Sequence, residues 1–177
     1  MKRLFFLLPL VAAIASCGNK TPVAVPDIDI SFSAEAHISY SGGECTAQMR
    51  RFSENCWEYC ITEPYALEGA VIRIEEGKSK ITMFDMEAAA DINTEAVSAA
   101  RLITEAVEAA IDNSTGAAEA DGIISVRGQS PTSTYTLSFK NDSTPFSLAI
   151  DGRGITVEFT KFVPMESGDE EIIMMEN

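Results

Sequence analysis

The stretch "TEAVSAARLITEAVEAAIDN", Thr94 to Asn113, decides how the rest of the chain is read. Ala96, Ala99, Ala100, Ile103, Val107, Ala110 and Ile111 recur at helical spacing, which predicts one amphipathic helix. Thr94 or Asn93 is placed to cap its start, and Gly116 is available as a stop. Arg101 and Glu105 are expected to pair on its exposed face. The apolar stripe is mostly alanine, so the helix backbone can lie close to whatever supports it.

Around this helix the dominant period is two. Before it, "ISFSAEAHISY" alternates Ile30, Phe32, Ala34, Ala36 and Ile38 with polar residues, and Ser41-Gly42-Gly43 is a turn signal. "ECTAQMRRFS" follows, with a turn expected near Glu54-Asn55 and then "CWEYCIT", which sets Trp57, Tyr59 and Ile61 on one face. "EPYALEG" reads as a short helical turn or irregular link. "AVIRIEEGKSKITMFDM" reads as a hairpin turning at Glu76-Gly77-Lys78. Ile72 and Ile74 share a face of its first strand. Its second strand offers inward either Ile81 and Met83 or Phe84 and Met86.

After the helix come a loop, "STGAAEADG", and four strands. The first is "GIISVRGQ". The next three set Tyr135, Leu137 and Phe139, then Phe146, Leu148 and Ile150, then Ile155, Val157 and Phe159 on single faces. The turns at Asn141–Thr144 and Asp151–Gly154 are short, so these strands are expected to be antiparallel neighbours. About nine strands in a flat sheet would curl or split. The expected fold is therefore mainly β: a curved antiparallel sheet forming a half-open barrel, with the central helix packed on its concave face.

The N-terminus has a different character. Met1-Lys2-Arg3 precedes an apolar run from Leu4 to Ala15 that is too short to span a bilayer, which needs about 20 residues. Its length suits the apolar region of a secretory signal. Ile14-Ala15-Ser16-Cys17 resembles the lipobox of bacterial prolipoproteins. That resemblance implies cleavage before Cys17 and a diacylglyceryl thioether on its sulfur, a stable anchor because several acyl chains share one cysteine. The expected organisation is a signal over 1–16, lipidated cysteine and tether over 17–28, a folded domain over 29–163 and an acidic tail over 164–177. The expected location is the extracytoplasmic face of a cell membrane, in a Gram-positive-type envelope, or the outer membrane in a two-membrane cell.

The formal net charge of −14 becomes −16 once Lys2 and Arg3 leave with the signal. Such a surface repels nucleic acid, and no nucleic-acid partner is expected.

The order of elements, with "ISYSGGECTAQMRRF", "CWEYCITEPYALEGAVI", "STYTLSFKNDSTPFSLAI" and "GITVEFTKF", resembles the LolA/LolB-like lipoprotein-localisation factors. Nearer still are lipoproteins of Gram-positive spore formers that share that fold. The resemblance implies a half-open barrel with an apolar cavity for acyl chains, or a surface for an envelope protein such as a peptidoglycan-processing enzyme. Cavity candidates are Trp57, Tyr59, Ile72, Ile74, Ile103, Val107, Tyr135, Leu137, Phe139, Phe146, Leu148, Val157 and Phe159. A protein fixed to one membrane does not ferry lipoproteins between two, so an anchored binder is expected in place of a mobile carrier.

Catalysis finds little support. His37 is the single histidine, and no nucleophile elbow, Walker loop or G-x-G-x-x-G is present. A carboxylate-based envelope hydrolase is the weakest of the three readings, and no enzyme activity, cofactor or metal is expected. Cys45, Cys56 and Cys60 remain once Cys17 is lipidated. Cys56 and Cys60 stand about 13 Å apart on an extended strand, beyond the roughly 7 Å limit for a disulfide. A Cys45–Cys60 bridge would demand a bulge, and free thiols are the expected state.

Overall fold

A computed structural model describes residues 22–84, 86–89, 94–112 and 117–165. The proposed lipobox, Cys17 and the chain from 166 onward lie outside these residues. Twelve strands form one sheet: β1 (Pro22–Val23), β2 (Phe32–Tyr40), β3 (Gly43–Ser53), β4 (Cys56–Glu63), β5 (Val71–Glu75), β6 (Lys78–Met83), β7 (Met86–Ala89), β8 (Ala117–Ala120), β9 (Ile123–Gln129), β10 (Thr134–Phe139), β11 (Pro145–Asp151) and β12 (Ile155–Pro164). Helix α1 spans Glu95–Asp112, and a short 3-10 turn covers Tyr65–Leu67. The spatial order is β1-β8-β9-β10-β11-β12-β2-β3-β4-β5-β6-β7, so β1 and β7 are the edges and the sheet is not closed. Every pairing is antiparallel.

The sheet must curve. Helix α1 touches β9, β10 and β11 at one end of the order and β5 and β6 at the other. Laid flat, β9 and β6 would stand about 38 Å apart at about 4.8 Å per strand. An 18-residue helix is only about 27 Å long and 10–12 Å wide. It reaches both ends because the sheet wraps around it.

Local chemistry sets the elements. Thr94 caps the helix, its Oγ1 accepting from Val97 N at 3.3 Å. Ala99, Ala100, Ile103, Val107 and Ala110 are buried as the stripe demands, while Ala96 and Ile111 sit at its margin. Glu105, expected to pair with Arg101, accepts a hydrogen bond from Thr132. Glu75 pairs with Lys78 across a two-residue turn, in which Glu76 and Gly77 both have positive φ. This geometry matches the twist of a tight hairpin. In the same hairpin Ile81 and Met83 pack on the core, whereas Phe84 and Met86 are exposed at 76 % and 70 %. That resolves the two-way choice left open by the pattern.

Several expectations are corrected. The sheet has twelve strands where about nine were expected. β8 lies in the expected loop "STGAAEADG", β1 lies in the expected tether, and β7 adds a short outer strand. Within the tether, Ile28 is buried in the core and Val23 and Val25 pack against it. Ile30 lies two residues before the first long strand, so the alternation does not carry it inward; its side chain is 38 % exposed and its carbonyl accepts from Arg51. Among the described residues no disulfide joins Cys45, Cys56 or Cys60; Cys45 is buried and Cys56 and Cys60 are half-buried.

Candidate functional site

The cavity candidates are in place, but they fill the space they were expected to line. Trp57, Tyr59, Ile72, Ile74, Ile103, Val107, Tyr135, Leu137, Phe139, Leu148, Val157 and Phe159 all belong to one buried cluster. Ala34, Ala36, Ala47, Ala99 and Ala100 let helix and strands meet closely. What remains beside the first half of the helix is a crevice of about 10 Å³, lined by residues including Ile38, Cys45, Ile61 and Ala96. Small-molecule pockets are typically about 300–1,000 Å³.

Phe146 is the exception. The β10–β11 pairing shifts between Ser138 and Phe139, so that Ser138 faces Ser147 while Phe139 faces Pro145. The extra residue on β11 is Phe146. It lies half-buried beside Ile123 and Lys140 in a shallow cleft, outside the core.

Between helix and sheet runs a polar seam. Thr104 and Glu108 stand one helical turn apart on the buried arc of α1. Tyr59 Oη lies 2.9 Å from Thr104 Oγ1 and donates to the Ala100 carbonyl at 3.2 Å. Burial pushes the Tyr59 phenol well above its ordinary value, opposed by the Thr104 hydrogen bond and helped by the Glu108 charge. One Glu108 oxygen accepts from Trp57 Nε1 at 2.6 Å, Arg51 Nε at 3.0 Å and Asn55 N at 3.2 Å. The other accepts from Arg51 Nη2 at 3.0 Å. Arg51 also reaches Asp29 Oδ1 and the Ile30 carbonyl, each at 3.1 Å. Burial disfavours the Arg51 charge, but the bonds and charges of Glu108 and Asp29 outweigh it and the pKa is raised. Arg51 thereby ties the N-terminal segment, β3 and the helix together.

The sequence carried a signal for this seam that the apolar pattern hides. Arg51 continues the inward alternation of Ala47 and Met49, and it faces Trp57 across the β3–β4 pair. Glu108 follows Thr104 and Ala100 at intervals of four.

The outer face holds a second buried carboxylate. Glu58 pairs with Arg50 at 3.1 Å and Arg73 at 2.7 Å across three neighbouring strands. Both buried acids among the described residues are thus committed to arginines, and they lie on opposite faces of the sheet.

A larger concavity lies outside the barrel, at the end carrying the β2–β3 turn and the Tyr65–Leu67 turn. It measures about 520 Å³ and is lined by His37, Thr46, Glu44, Glu63, Tyr65 and Glu68 among others. Thr46 Oγ1 donates to Glu63 Oε2 at 3.2 Å and lies 3.1 Å from His37 Nδ1. Tyr65 is 90 % exposed at the rim. Cys45 reaches this cleft from the opposite face of β3, one residue out of step with Thr46. Burial raises its thiol pKa, so it is not poised as a thiolate for a Cys–His pair. No group of three or more potential metal ligands occurs among the described residues, and no helix among them is long and apolar enough to cross a membrane.

No protein-family model matches the chain, and no curated protein matches it. Among solved structures it is similar to PNGF-II, at 7% identity over 77% of this chain and 29% of that one, with a TM-score of 0.31. It is similar to an uncharacterized conserved protein from Thermus thermophilus, at 13% identity over 78% of this chain and 81% of that one, with a TM-score of 0.46. It is also similar to a LolA superfamily protein from Nitrosomonas europaea, at 11% identity over 82% of this chain and 91% of that one, with a TM-score of 0.43.

Proposed function

We propose that the chain is a lipoprotein held by acylated Cys17 on the outer face of a bacterial membrane. Its folded domain serves as a non-enzymatic binding module for a cell-envelope protein. The observation that carries this choice is the filled interior. The crevice beside the helix is about 10 Å³, whereas the outer cleft of His37, Thr46, Glu63 and Tyr65 is about 520 Å³ and open to a partner. An exposed tyrosine at the rim of a polar concavity is a common anchor in protein recognition. A regulatory partner or scaffold of a peptidoglycan-processing enzyme is one form of this reading.

Acyl binding is the second reading, and the apolar crevice favours it. Ile38, Tyr40, Cys45, Ala47, Ala96 and Ala99 would face a chain entering there if the helix moved outward. The hydrolase reading needs a close carboxylate pair, and the buried acids Glu58 and Glu108 instead each hold arginine.

One experiment separates the first two. Delipidated protein is mixed with envelope extract, repurified and analysed by native mass spectrometry. The expected result is no retained lipid, together with a specific protein recovered by cross-linking and lost on Tyr65→Ala. Stoichiometric lipid on the repurified chain would replace the protein-binding reading with the acyl-binding one.

A further inference from the structure

The chain enters the fold at a defined place and in a defined direction. β1 runs antiparallel to β8, with Pro22 opposite Ala118 and Val23 opposite Ala117. In its N-terminal direction β1 therefore points toward the β8–β9 turn at Asp121–Gly122. Five residue steps separate Cys17 from Pro22, at most about 18 Å of extended chain. An anchor on Cys17 leashes this end of the sheet close to the headgroups.

The same end carries the β10–β11 turn and the bulge that turns Phe146 out of the core. Bulges of this kind re-aim a side chain. Here the aromatic ring is delivered beside Ile123, itself 39 % exposed, in a cleft of about 480 Å³ with Lys140 among its lining residues. Asp142, in the same turn, is occupied with Thr144 N at 3.0 Å. An aromatic and an aliphatic side chain with a lysine beside them suit a bilayer interface, where apolar side chains dip to the boundary of headgroups and acyl chains and lysine keeps its charge in water. The strongly acidic chain disfavours an anionic surface, so the match is to zwitterionic headgroups. The exposed Phe84 lies at the opposite end, about one strand length away.

We infer that the β8–β9 and β10–β11 turns rest on the bilayer that holds Cys17, with Phe146 and Ile123 in contact with the interface. The His37–Glu63 cleft then faces away from the membrane. This inference rests on the lipid-anchor reading. The test uses full-length lipidated protein on phosphatidylcholine vesicles brominated near the top of the acyl chains. Phe146→Trp and Ile123→Trp each place a fluorophore at the proposed contact, and Phe84→Trp places one at the far end. The parent's Trp57 is fully buried and supplies the background. The expected result is at least twofold stronger quenching for Trp at 146 or 123 than for the parent, with none added at 84. Flotation with the vesicles is read separately. Flotation without extra quenching at 146 and 123, or with stronger quenching at 84, overturns this inference alone. Failure to float, or equal flotation by Cys17→Ala, overturns the anchor reading and this inference with it.

Discussion

Glu108→Leu tests whether the helix is held by the Arg51 seam or by apolar packing alone. The substitution removes the acceptor for two Arg51 donors, the Trp57 indole N–H and the Asn55 amide. Arg51 is almost fully buried and keeps only Asp29 and the Ile30 carbonyl. Breaking a buried ion pair from one side costs about 3–5 kcal/mol, a large share of the ordinary 5–15 kcal/mol or so of domain stability. Arg51→Met strands Glu108 in the same way and is expected to cost a similar amount. Replacing a buried pair by apolar residues of similar volume is often neutral or stabilising. The Arg51→Met/Glu108→Leu double variant should therefore lie at least about 2 kcal/mol above the sum of the singles. Urea unfolding followed by far-ultraviolet circular dichroism measures all four proteins, with equal m-values as the condition for comparison. Single costs under about 1 kcal/mol, or additivity within about 0.5 kcal/mol, would refute the assignment of the seam as the helix clamp.

Tyr135 is fully buried and its hydroxyl has no partner among the described residues. Tyr135→Phe is expected to leave stability unchanged or raise it by about 1 kcal/mol, since an unmet buried hydroxyl costs about that much or more; a clear fall in the urea midpoint would show that the hydroxyl is used. At Gly128, which faces Tyr135 across β9 and β10, an added Cβ would lie 2.2 Å from that hydroxyl and 2.5 Å from the ring. Gly128→Ala is expected to cost about 1–3 kcal/mol by overpacking, and a neutral result in the same assay would contradict this geometry. Thr94→Ala should cost about 0.5–2 kcal/mol through loss of the helix cap, seen as faster amide exchange in the first helical turn. Glu35 is held below the ordinary glutamate value chiefly by its hydrogen bond from Lys161. Its contribution to stability is present above the unfolded pKa and is lost as pH falls through the depressed folded one. A carboxyl NMR titration should place Glu35 low in the parent and return it toward the ordinary value in Lys161→Met.

What the sequence made legible follows its strongest local rules. The helix begins one residue after Thr94, one of the two cap candidates, and the Glu76-Gly77 turn leaves a single register for its hairpin. Ala47, Met49, Trp57, Tyr59 and Ile61 share the inward face because alternation on both strands demands it. What stayed hidden depends on contacts between distant residues. "AAEA" at 117–120 has little intrinsic strand preference, and its pairing with β9 and β1 makes it a strand. Phe146 follows the alternation of Leu148 and Ile150 in sequence, yet one bulge places it outside. The coupling of Arg51 to Glu108 links residues 57 positions apart; alternation and helical spacing turn each of them inward, but no local pattern says that they meet. The size of the interior was equally hidden, because a list of inward residues does not say whether they meet.

The strand order has a consequence for how the chain is made. From β2 to β7 and from β8 to β12, each strand pairs with its neighbour in sequence. The two meanders meet only where β12 lies along β2, with Phe159 opposite Ala36 and Pro164 opposite Phe32. During vectorial synthesis, β2 emerges early and its partner last. Until then β2 is a long edge with an apolar inner face, the kind of surface that recruits another strand. Closing this seam pairs residues more than 100 positions apart, the kind of long-range strand pairing that is intrinsically slow to form. A nascent chain halted before Ile155 would be the species most in need of a chaperone.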